Sequence, residues 1–349
     1  MRRIGVLTSG GDSPGMNAAI MAVARSAAYH ELSLIGVKHG YNGLLCKSHN
    51  IHDDMAELDL DTVLDIADQP GTYLRTARCV EFKQPEVRER AVENLHKMGV
   101  EGLVVIGGDG SYQGAMRLCE LGIPTVGIPG TIDNDLPYTE MTLGYDTAVN
   151  SCVSDIRAIR ATSRSHDRPA VIEVMGRHCG DIALKSAAST GAEIVVVPEV
   201  HWSIDQVADR LNALIARGNN RVSVVVAEGA WESMEPFDVY GFLTANGVQC
   251  YPGEVISSPR LASILKLKCG MVEARATILG YTQRGQHPSA YDSSFAFEAG
   301  NLAVKLLSNG IGNQVVGIKD GRIFYMPIAD ALRCKRPFNM ELYNLINSL

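Results

Sequence analysis

Two glycine-rich turns that carry carboxylates could perform chemistry. The first, at residues 107–111, reads GGDGS and follows an apolar run at 103–106; the second, at 129–135, reads PGTIDND and follows an apolar run at 124–128. A strand that runs through glycines into a helix leaves backbone N–H groups that can surround a phosphate. Because the second turn places carboxylates beside such a cradle, residues 103–135 predict the reactive centre of a phosphoryl-transfer enzyme.

Asp109 lies inside the first turn, where an unpaired carboxylate would repel phosphate oxygens. Mg²⁺ removes this conflict because it binds carboxylate and phosphate oxygens together. Residues 9–17, SGGDSPGMN, follow the first apolar run and are a second candidate phosphate cradle. The sequence has no P-loop pattern, and no dinucleotide-binding fingerprint follows its first strand.

The second turn offers a general base. Asp133 and Asp135 are two residues apart, so an extended loop would direct both side chains to the same side. We expect a carboxylate of this turn to orient a sugar hydroxyl and accept its proton, and Thr131 to donate to the transferring phosphoryl group. The alternative is that these residues only cap a turn, since Asp and Asn favour turns.

Arginines at or near predicted strand ends suggest a further anionic site. They are Arg168, Arg177, Arg275 and Arg284. One guanidinium group can bind two oxygens of a phosphate at once. Four arginines on the ligand side would therefore form a second anionic site that faces the phosphate cradle. The alternative for each arginine is a surface salt bridge.

The composition limits the class of protein. A chain of 349 residues favours two domains, and a net charge of -7 argues against a general nucleic-acid or membrane-surface binder. No apolar run approaches the length of about 18 residues that a membrane span needs. The N-terminal residues enter a strand pattern without a signal peptide, and the eight cysteines form no metal-ligand pattern. We therefore expect reduced thiols in a cytoplasmic protein.

Short β-branched runs alternate with amphipathic helical patterns, which predicts parallel βαβ units in two α/β halves. Residues 41–60 read as a polar surface segment, Ser111 as a helix N-cap, and residues 320–321 as a hairpin turn that returns to the first half. Ligands of open parallel sheets bind at the carboxyl ends of strands. Because most polar turns fall at such ends, we expect a cleft between the halves.

Five motifs together resemble the bacterial-type 6-phosphofructokinase family over nearly the whole chain. They are GGDSPGMN at 10–17, GGDGS at 107–111, PGTIDND at 129–135, EVMGR at 173–177 and QRG at 283–285. The resemblance implies an α/β fold of two Rossmann-like three-layer domains with an active-site cleft between them. It places an ATP-binding domain at 1–144 plus about 283–333, and a sugar-phosphate-binding domain at 145–282 plus about 334–349.

The resemblance also implies an activity, the ATP-dependent phosphorylation of fructose 6-phosphate at its 1-hydroxyl, with Mg²⁺, to give fructose 1,6-bisphosphate and ADP in glycolysis. Asp133 would be the base, assisted by Thr131 and Arg177. The implied ATP contacts, with the metal at Asp109, are Gly11, Arg78, Cys79, Gly108, Asp109, Gly110 and Ser111. The implied sugar-phosphate contacts are Thr131, Asp133, Arg168, Met175, Gly176, Arg177, Glu228, Arg275, Tyr281 and Arg284.

In such an enzyme Arg168 and Arg275 would reach in from a neighbouring subunit, so we expect a homo-oligomer, commonly a homotetramer in this family.

The chain departs from the usual residues of the family at two positions. Tyr281 stands where most members have a phosphate-contacting His, and Cys79 stands where an aromatic residue usually lies beside the adenine.

Two positions bear on the phosphoryl donor. Pyrophosphate-using relatives typically have Asp where this chain has Gly110 and Lys where it has Gly130. Glycine at 110 leaves room for the ATP α-phosphate that a carboxylate would repel, so ATP is the expected donor. The alternatives are a pyrophosphate-dependent or broader sugar-phosphate kinase, for example for sedoheptulose 7-phosphate, and a non-catalytic regulatory subunit on the same fold.

The family's effector pocket is only partly kept. Arg25, Arg160, Glu193 and Arg217 are present, whereas Met21, Leu60, Asn219 and Asn220 stand where basic residues are usual. Fewer cations weaken a phosphate pocket, so we expect little regulation by ADP or phosphoenolpyruvate.

Overall fold

The computed structural model of the chain describes residues 1–48, 50–271 and 273–348. The strands are β1 (Arg3–Ser9), β2 (Ser33–Val37), β3 (Met55–Glu57), β4 (Leu103–Gly107), β5 (Thr125–Pro129), β6 (Ala170–Val174), β7 (Ile194–Val196), β8 (Ser223–Ala227), β9 (Arg275–Ile278), β10 (Gln314–Lys319) and β11 (Arg322–Pro327).

The helices alternate with these strands over most of the chain. They are α1 (Met16–Tyr29), α2 (Tyr41–Leu44), α3 (Ile51–Asp54), α4 (Leu60–Asp65), α5 (Pro85–Lys97), α6 (Asp109–Glu120), α7 (Tyr145–His166), α8 (Asp181–Thr190), α9 (Ile204–Ala216), α10 (Val239–Ala245), α11 (Ser258–Lys268), α12 (Ala290–Ser308), α13 (Ile328–Ala331) and α14 (Met340–Ile346). Short 3-10 helices cover Val80–Lys83, Glu228–Ser233 and Gly280–Gln283. Within the described residues, no helix is long and apolar enough to span a membrane.

The chain forms two compact units. The first contains Met1–Ala148 and Arg284–Arg336, and the second contains Val149–Gln283 and Pro337–Leu349. Each unit has its own sheet, so the predicted α/β class with two domains is confirmed.

The sheet of the first unit has the order β11-β10-β5-β4-β1-β2-β3, and its central strands are parallel. Alternate side chains of β4 belong to two hydrophobic cores, one on each face of the sheet. Val104 and Ile106 pack with residues of α1 and α12, whereas Leu103 and Val105 pack with residues of α5 and α6. A sheet with a helical layer on each face is the result.

Both edge strands of this sheet are antiparallel to their neighbours. At one edge β10 and β11 form the predicted hairpin, whose turn residues Asp320 and Gly321 have φ values of 51° and 67°. At the other edge β3 lies within the segment predicted as polar surface. That prediction is wrong, because Tyr41, Leu44 and Met55 are buried in the core that contains α5 and α6.

The sheet of the second unit has the order β7-β8-β6-β9, and its strand pairs are parallel. On one face, Val171, Val224 and Val226 pack with buried residues of α9 and α11. A capping box opens α9, since Ser203 and Gln206 exchange side-chain and backbone hydrogen bonds.

Candidate active site

Three turns lie together at the carboxyl edge of the first unit's sheet. In the register of the parallel strands, Ser9 at the end of β1 lies beside Gly107 at the end of β4. Gly107 in turn lies beside Pro129 at the end of β5. The backbone N–H of Gly130 donates to the carbonyl oxygen of Gly107 at 3.1 Å. The turns that carry the sequence's main candidate residues are therefore neighbours.

The turn after β4 opens α6. Gly108 is the N-cap residue, and Asp109 is the first helical residue, with an exposed side chain. The carboxylate Oδ1 of Asp109 accepts a hydrogen bond from the N–H of Gly110 at 2.7 Å. A Cβ atom at Gly108 or Gly110 would meet no heavy atom within 4 Å, so this side of the turn is open.

Ser111 is not the N-cap that the sequence predicts. The carbonyl oxygen of Gly108 accepts the first hydrogen bonds of the helix, from the N–H groups of Ser111 and Tyr112 at 3.0 and 3.1 Å. Ser111 is buried inside the first turn, and its hydroxyl donates to the carbonyl oxygen of Ser9 at 3.3 Å. Its side chain therefore joins the turn after β4 to the end of β1.

The turn after β5 buries the predicted base. Asp133 is 9% exposed, and its N–H donates to the hydroxyl of Thr131 at 3.2 Å. Asn134 has a φ of 53°, and its Oδ1 accepts a hydrogen bond from the N–H of Thr142 at 3.2 Å. The assumption of an extended loop is therefore wrong at Asn134, and spacing alone does not put Asp135 on the side of Asp133.

Gly130 occupies a position without space for a side chain. A Cβ atom there would lie 2.9 Å from Cγ2 of Ile106, 3.0 Å from Cε of Met16 and 3.2 Å from the backbone N of Gly107. Real Cβ contacts are rarely this short, so a larger residue would displace the core below the turn.

The segment before Val80–Lys83 lies against the turn after β1. The hydroxyl of Thr76 donates to the carbonyl oxygen of Gly10 at 2.9 Å. Arg78 and Cys79 follow a few residues later, the first exposed and the second half-buried. Burial raises the pKa of the Cys79 thiol, so this cysteine favours its neutral form.

Arg284 also contacts this turn. Its Nη1 donates to the carbonyl oxygen of Asp12 at 2.5 Å, and a Cβ atom at Gly11 would lie 3.2 Å from the same nitrogen. A residue expected to bind sugar phosphate thus lies beside one expected to bind ATP, within the first unit.

In the second unit, residues 175–177 follow β6 at the carboxyl edge. Gly176 has a φ of 136°, and a Cβ atom there would lie 2.4 Å from the carbonyl oxygen of Cys179, so only glycine fits. The N–H of Arg177 donates to Oε1 of Glu228 at 2.8 Å. Glu228 follows β8, the neighbour of β6, and the structure brings these two candidate residues together.

Arg168 and Arg275 lie at the opposite edge of this sheet. Arg168 precedes β6 and Arg275 is the first residue of β9, so the expectation that all four arginines lie at ligand-side strand ends is wrong for these two. Both bind Glu273, with N–O distances of 2.5 Å from each guanidinium. A rise of about 3.3 Å per strand residue puts the start of β6 roughly 20 Å from residues 175–177.

The short 3-10 helix after β9 contains one expected contact, Tyr281, and one residue outside the predicted site, Gln283. Tyr281, an expected sugar-phosphate contact, is 83% exposed. Gln283 is fully buried, and its Oε1 accepts a hydrogen bond from the N–H of Met175 at 3.0 Å. The sequence signal for Gln283 is its place in the QRG motif at residues 283–285.

Two residues of the expected effector pocket form an ion pair in the second unit. Arg160 donates to both oxygens of Glu193, at 2.9 and 3.1 Å, and the two side chains are 12% and 11% exposed. The N–H of Ser223 donates to the same carboxylate at 2.8 Å. Arg160 is therefore engaged within the unit.

Comparisons with known proteins identify one family, phosphofructokinase. A family model described as phosphofructokinase matches residues 3–307. An ATP-dependent 6-phosphofructokinase from Bacillus cytotoxicus is 45% identical over 349 residues, which is 100% of this chain and 99% of the relative. ATP-dependent 6-phosphofructokinase 1 from Clostridium perfringens has the same identity and coverage.

Solved structures have the same fold. A phosphofructokinase from Saccharomyces cerevisiae is similar with a TM-score of 0.80 and 31% identity over 95% of this chain, which spans 45% of the yeast chain. A Pichia pastoris phosphofructokinase is similar with a TM-score of 0.82 and 31% identity over 95% of this chain, which spans 35% of that chain. A pyrophosphate-dependent enzyme from Marinobacter aquaeolei has a TM-score of 0.79 over 98% of this chain and 86% of its own, but at 21% identity it shows the fold alone.

Proposed function

Because this chain belongs to the phosphofructokinase family, we propose that it catalyses the ATP-dependent phosphorylation of fructose 6-phosphate at the 1-hydroxyl, giving fructose 1,6-bisphosphate and ADP. The reaction is a step of glycolysis. The observation that supports it best is the contact between two turns of the first unit, in which Gly130 donates to Gly107. It sets the open glycine turn that suits phosphates beside the turn that carries Asp133.

In this proposal the turn at residues 107–111 binds the ATP phosphates through its backbone N–H groups at the start of α6. Gly11, Arg78 and Cys79 complete the nucleotide contacts. Asp109 is exposed at this turn, and its carboxylate would help to hold a Mg²⁺ ion, which prefers oxygen ligands. When bound, the ion neutralises charge on the transferring group.

Asp133 orients the 1-hydroxyl and accepts its proton, and Thr131 donates to the transferring phosphoryl group. Since the transition state is loose, alignment of the hydroxyl and stabilisation of charge lower the barrier more than proton transfer does. Arg177 adds positive charge, while Glu228 accepts hydrogen bonds from sugar hydroxyls.

The remaining sugar-phosphate contacts are assigned by the same proposal. They are Met175, Gly176, Tyr281 and Arg284, together with Arg168 and Arg275 of a neighbouring subunit. A homotetramer would supply that neighbour. The positions of Arg168 and Arg275 at the amino ends of β6 and β9 support a role toward another copy, because within one chain they lie far from Arg177.

A mixing experiment tests the shared site. Asp133→Ser and Arg168→Ala variants would each have little activity, but oligomers assembled from a mixture would contain sites with neither substitution and recover part of it. Recovery absent from properly mixed oligomers would contradict the shared site.

All eight cysteines are free, which supports a reducing compartment such as the cytoplasm.

The activity itself is tested by steady-state kinetics with ATP or pyrophosphate as donor and fructose 6-phosphate or sedoheptulose 7-phosphate as acceptor. The expected result is the highest kcat/KM for ATP with fructose 6-phosphate. A higher value for either alternative substrate would contradict the proposal.

A further inference from the structure

Gln283 is a buried amide that connects two turns of the second unit. Its Oε1 accepts hydrogen bonds from the N–H of Met175 and the thiol of Cys152, both at 3.0 Å. Its Nε2 donates to the carbonyl oxygen of Gly280 at 3.0 Å. Glutamine is seldom fully buried, and a buried amide is stable only when its polar atoms are hydrogen-bonded. These contacts give Gln283 the required partners and link the turn after β6 to the 3-10 helix after β9.

The side chain continues the ladder between β6 and β9 beyond the end of β9. The N–H of Leu279 donates to the carbonyl oxygen of Glu173 at 3.0 Å, which is a backbone contact between the two chain segments. At Gly280 the chain enters the 3-10 helix and leaves the strand direction. Two residues beyond Glu173, the N–H of Met175 therefore meets the side chain of Gln283 instead of a strand carbonyl.

We infer that Gln283 is a positioning residue, which fixes the direction in which residues 175–177 leave β6 and thereby places Gly176 and Arg177 for the sugar phosphate. The inference rests on the proposed function, in which these residues contact the substrate. The turn has little freedom to compensate, since Gly176 already has a φ of 136° and Arg177 has a φ of 55°. The same amide holds the carbonyl of Gly280, next to Tyr281.

The contacts define what the residue at 283 must supply: an acceptor toward Met175 and a donor toward Gly280. An amide supplies both at any pH. An ionised carboxylate keeps the acceptor but sets a second negative oxygen against the carbonyl of Gly280, whereas a protonated carboxyl group supplies acceptor and donor again. Gln283→Glu should therefore make the wild-type hydrogen bonds only when its carboxyl group is protonated.

The first test compares Gln283→Leu with Cys152→Ala. Both variants change the same buried cluster, but only the first removes the partner of the Met175 N–H. We expect Gln283→Leu to raise the KM for fructose 6-phosphate by about tenfold or more and to change the KM for ATP by less than about twofold. Loss of the partner of a buried polar group corresponds to a change of roughly 5- to 150-fold in an equilibrium constant. Cys152→Ala should leave both KM values near those of the wild type.

The second test remains decisive if Gln283→Leu does not fold. The KM of Gln283→Glu for fructose 6-phosphate, divided by that of the wild type at each pH, should fall toward one as the pH decreases from 8 to 6. A ratio that stays well above one at every pH in this range would overturn the inference, as would a loss of kcat in Gln283→Leu with both KM values unchanged. A wild type without activity on fructose 6-phosphate would instead refute the proposed function.

Discussion

The backbone N–H of Gly130 donates to the carbonyl oxygen of Gly107 at 3.1 Å. This contact joins the turns after β4 and β5 through main-chain atoms, so no flexible side chain intervenes between the phosphate cradle and the turn of the base. Gly107 is itself confined, because a Cβ atom there would lie 2.5 Å from the carbonyl oxygen of Ser9. A site fixed in this way can hold reacting groups within a fraction of an ångström, which phosphoryl transfer requires.

Replacing Asp133 with Ser should lower kcat by about 10²- to 10⁴-fold, because the acceptor hydroxyl loses both its orienting group and its proton acceptor. The measurement is kcat with ATP and fructose 6-phosphate, accompanied by the midpoint of thermal unfolding to confirm that the variant folds. Asp135→Asn is the matched control and should retain most activity. A folded Asp133→Ser variant with wild-type kcat would show that another group is the base.

Replacing Gly130 with Ala should destabilise the first unit by about 1–3 kcal/mol, because the new Cβ atom overlaps the side chains of Ile106 and Met16. Gly110→Ala is the control, since a Cβ atom there meets nothing within 4 Å. Gly110 lies in the first turn of α6, where alanine favours the helix by up to about 1 kcal/mol. Urea unfolding of both variants measures the difference, and equal stabilities would contradict the packing at Gly130.

Replacing Gly110 with Asp should raise the KM for ATP by about tenfold, since a carboxylate a few ångströms from a phosphate is repelled by roughly 1–4 kcal/mol. Gly110→Asn separates charge from size and should have a smaller effect. Pyrophosphate should not become a good donor, because position 130 remains closed to the lysine typical of pyrophosphate-using relatives. An unchanged KM for ATP in Gly110→Asp would place the nucleotide away from this turn.

Asp292 should make stability depend on pH. Burial raises its pKa from 3.8 to about 6, although its carboxylate accepts hydrogen bonds from the N–H groups of Gly144 and Thr147, both at 2.8 Å. The folded state therefore binds the proton more strongly than the unfolded chain does. The stability contributed by this group is fully present below the unfolded pKa and is lost as the pH rises through about 6.

Relative to Asp292→Asn, the wild type should thus lose about 2 kcal/mol of unfolding free energy between pH 4 and pH 7. Urea unfolding over this range measures the difference. Asp61→Asn, at an exposed carboxylate, is the control for the exchange of Asp for Asn itself. A difference between wild type and Asp292→Asn that is independent of pH would contradict the prediction.

The α/β fold can be predicted from the sequence because most strands and helices have their own local pattern of residues. Runs such as residues 103–106 alternate with helical patterns, and a parallel sheet follows from that order. The edge strand β3 was missed because its three residues, together with the isolated buried side chains of Tyr41 and Leu44, form no periodic pattern. Their burial comes from contacts with α5 and α6, which lie far along the chain.

The site was predictable to the level of turns, and less so for side chains. Arg177 and Glu228 meet because β6 and β8 are neighbours, which a pattern of parallel strands makes plausible. The left-handed φ of Asn134 and the burial of Gln283 could not be predicted, since each depends on partners from other segments. By contrast, the order of the chain alone puts Arg168 before β6, at the sheet edge opposite residues 175–177.

Direct observation of the transferred group tests the central claim most closely. ATP labelled in the γ-phosphoryl group is incubated with fructose 6-phosphate and Mg²⁺, and the product is assigned by ³¹P NMR. We predict that the label appears as a phosphomonoester on the 1-oxygen of fructose 1,6-bisphosphate, that Asp133→Ser nearly abolishes this transfer, and that pyrophosphate does not replace ATP. Absence of transfer from ATP, or transfer from pyrophosphate at an equal rate, would contradict the account.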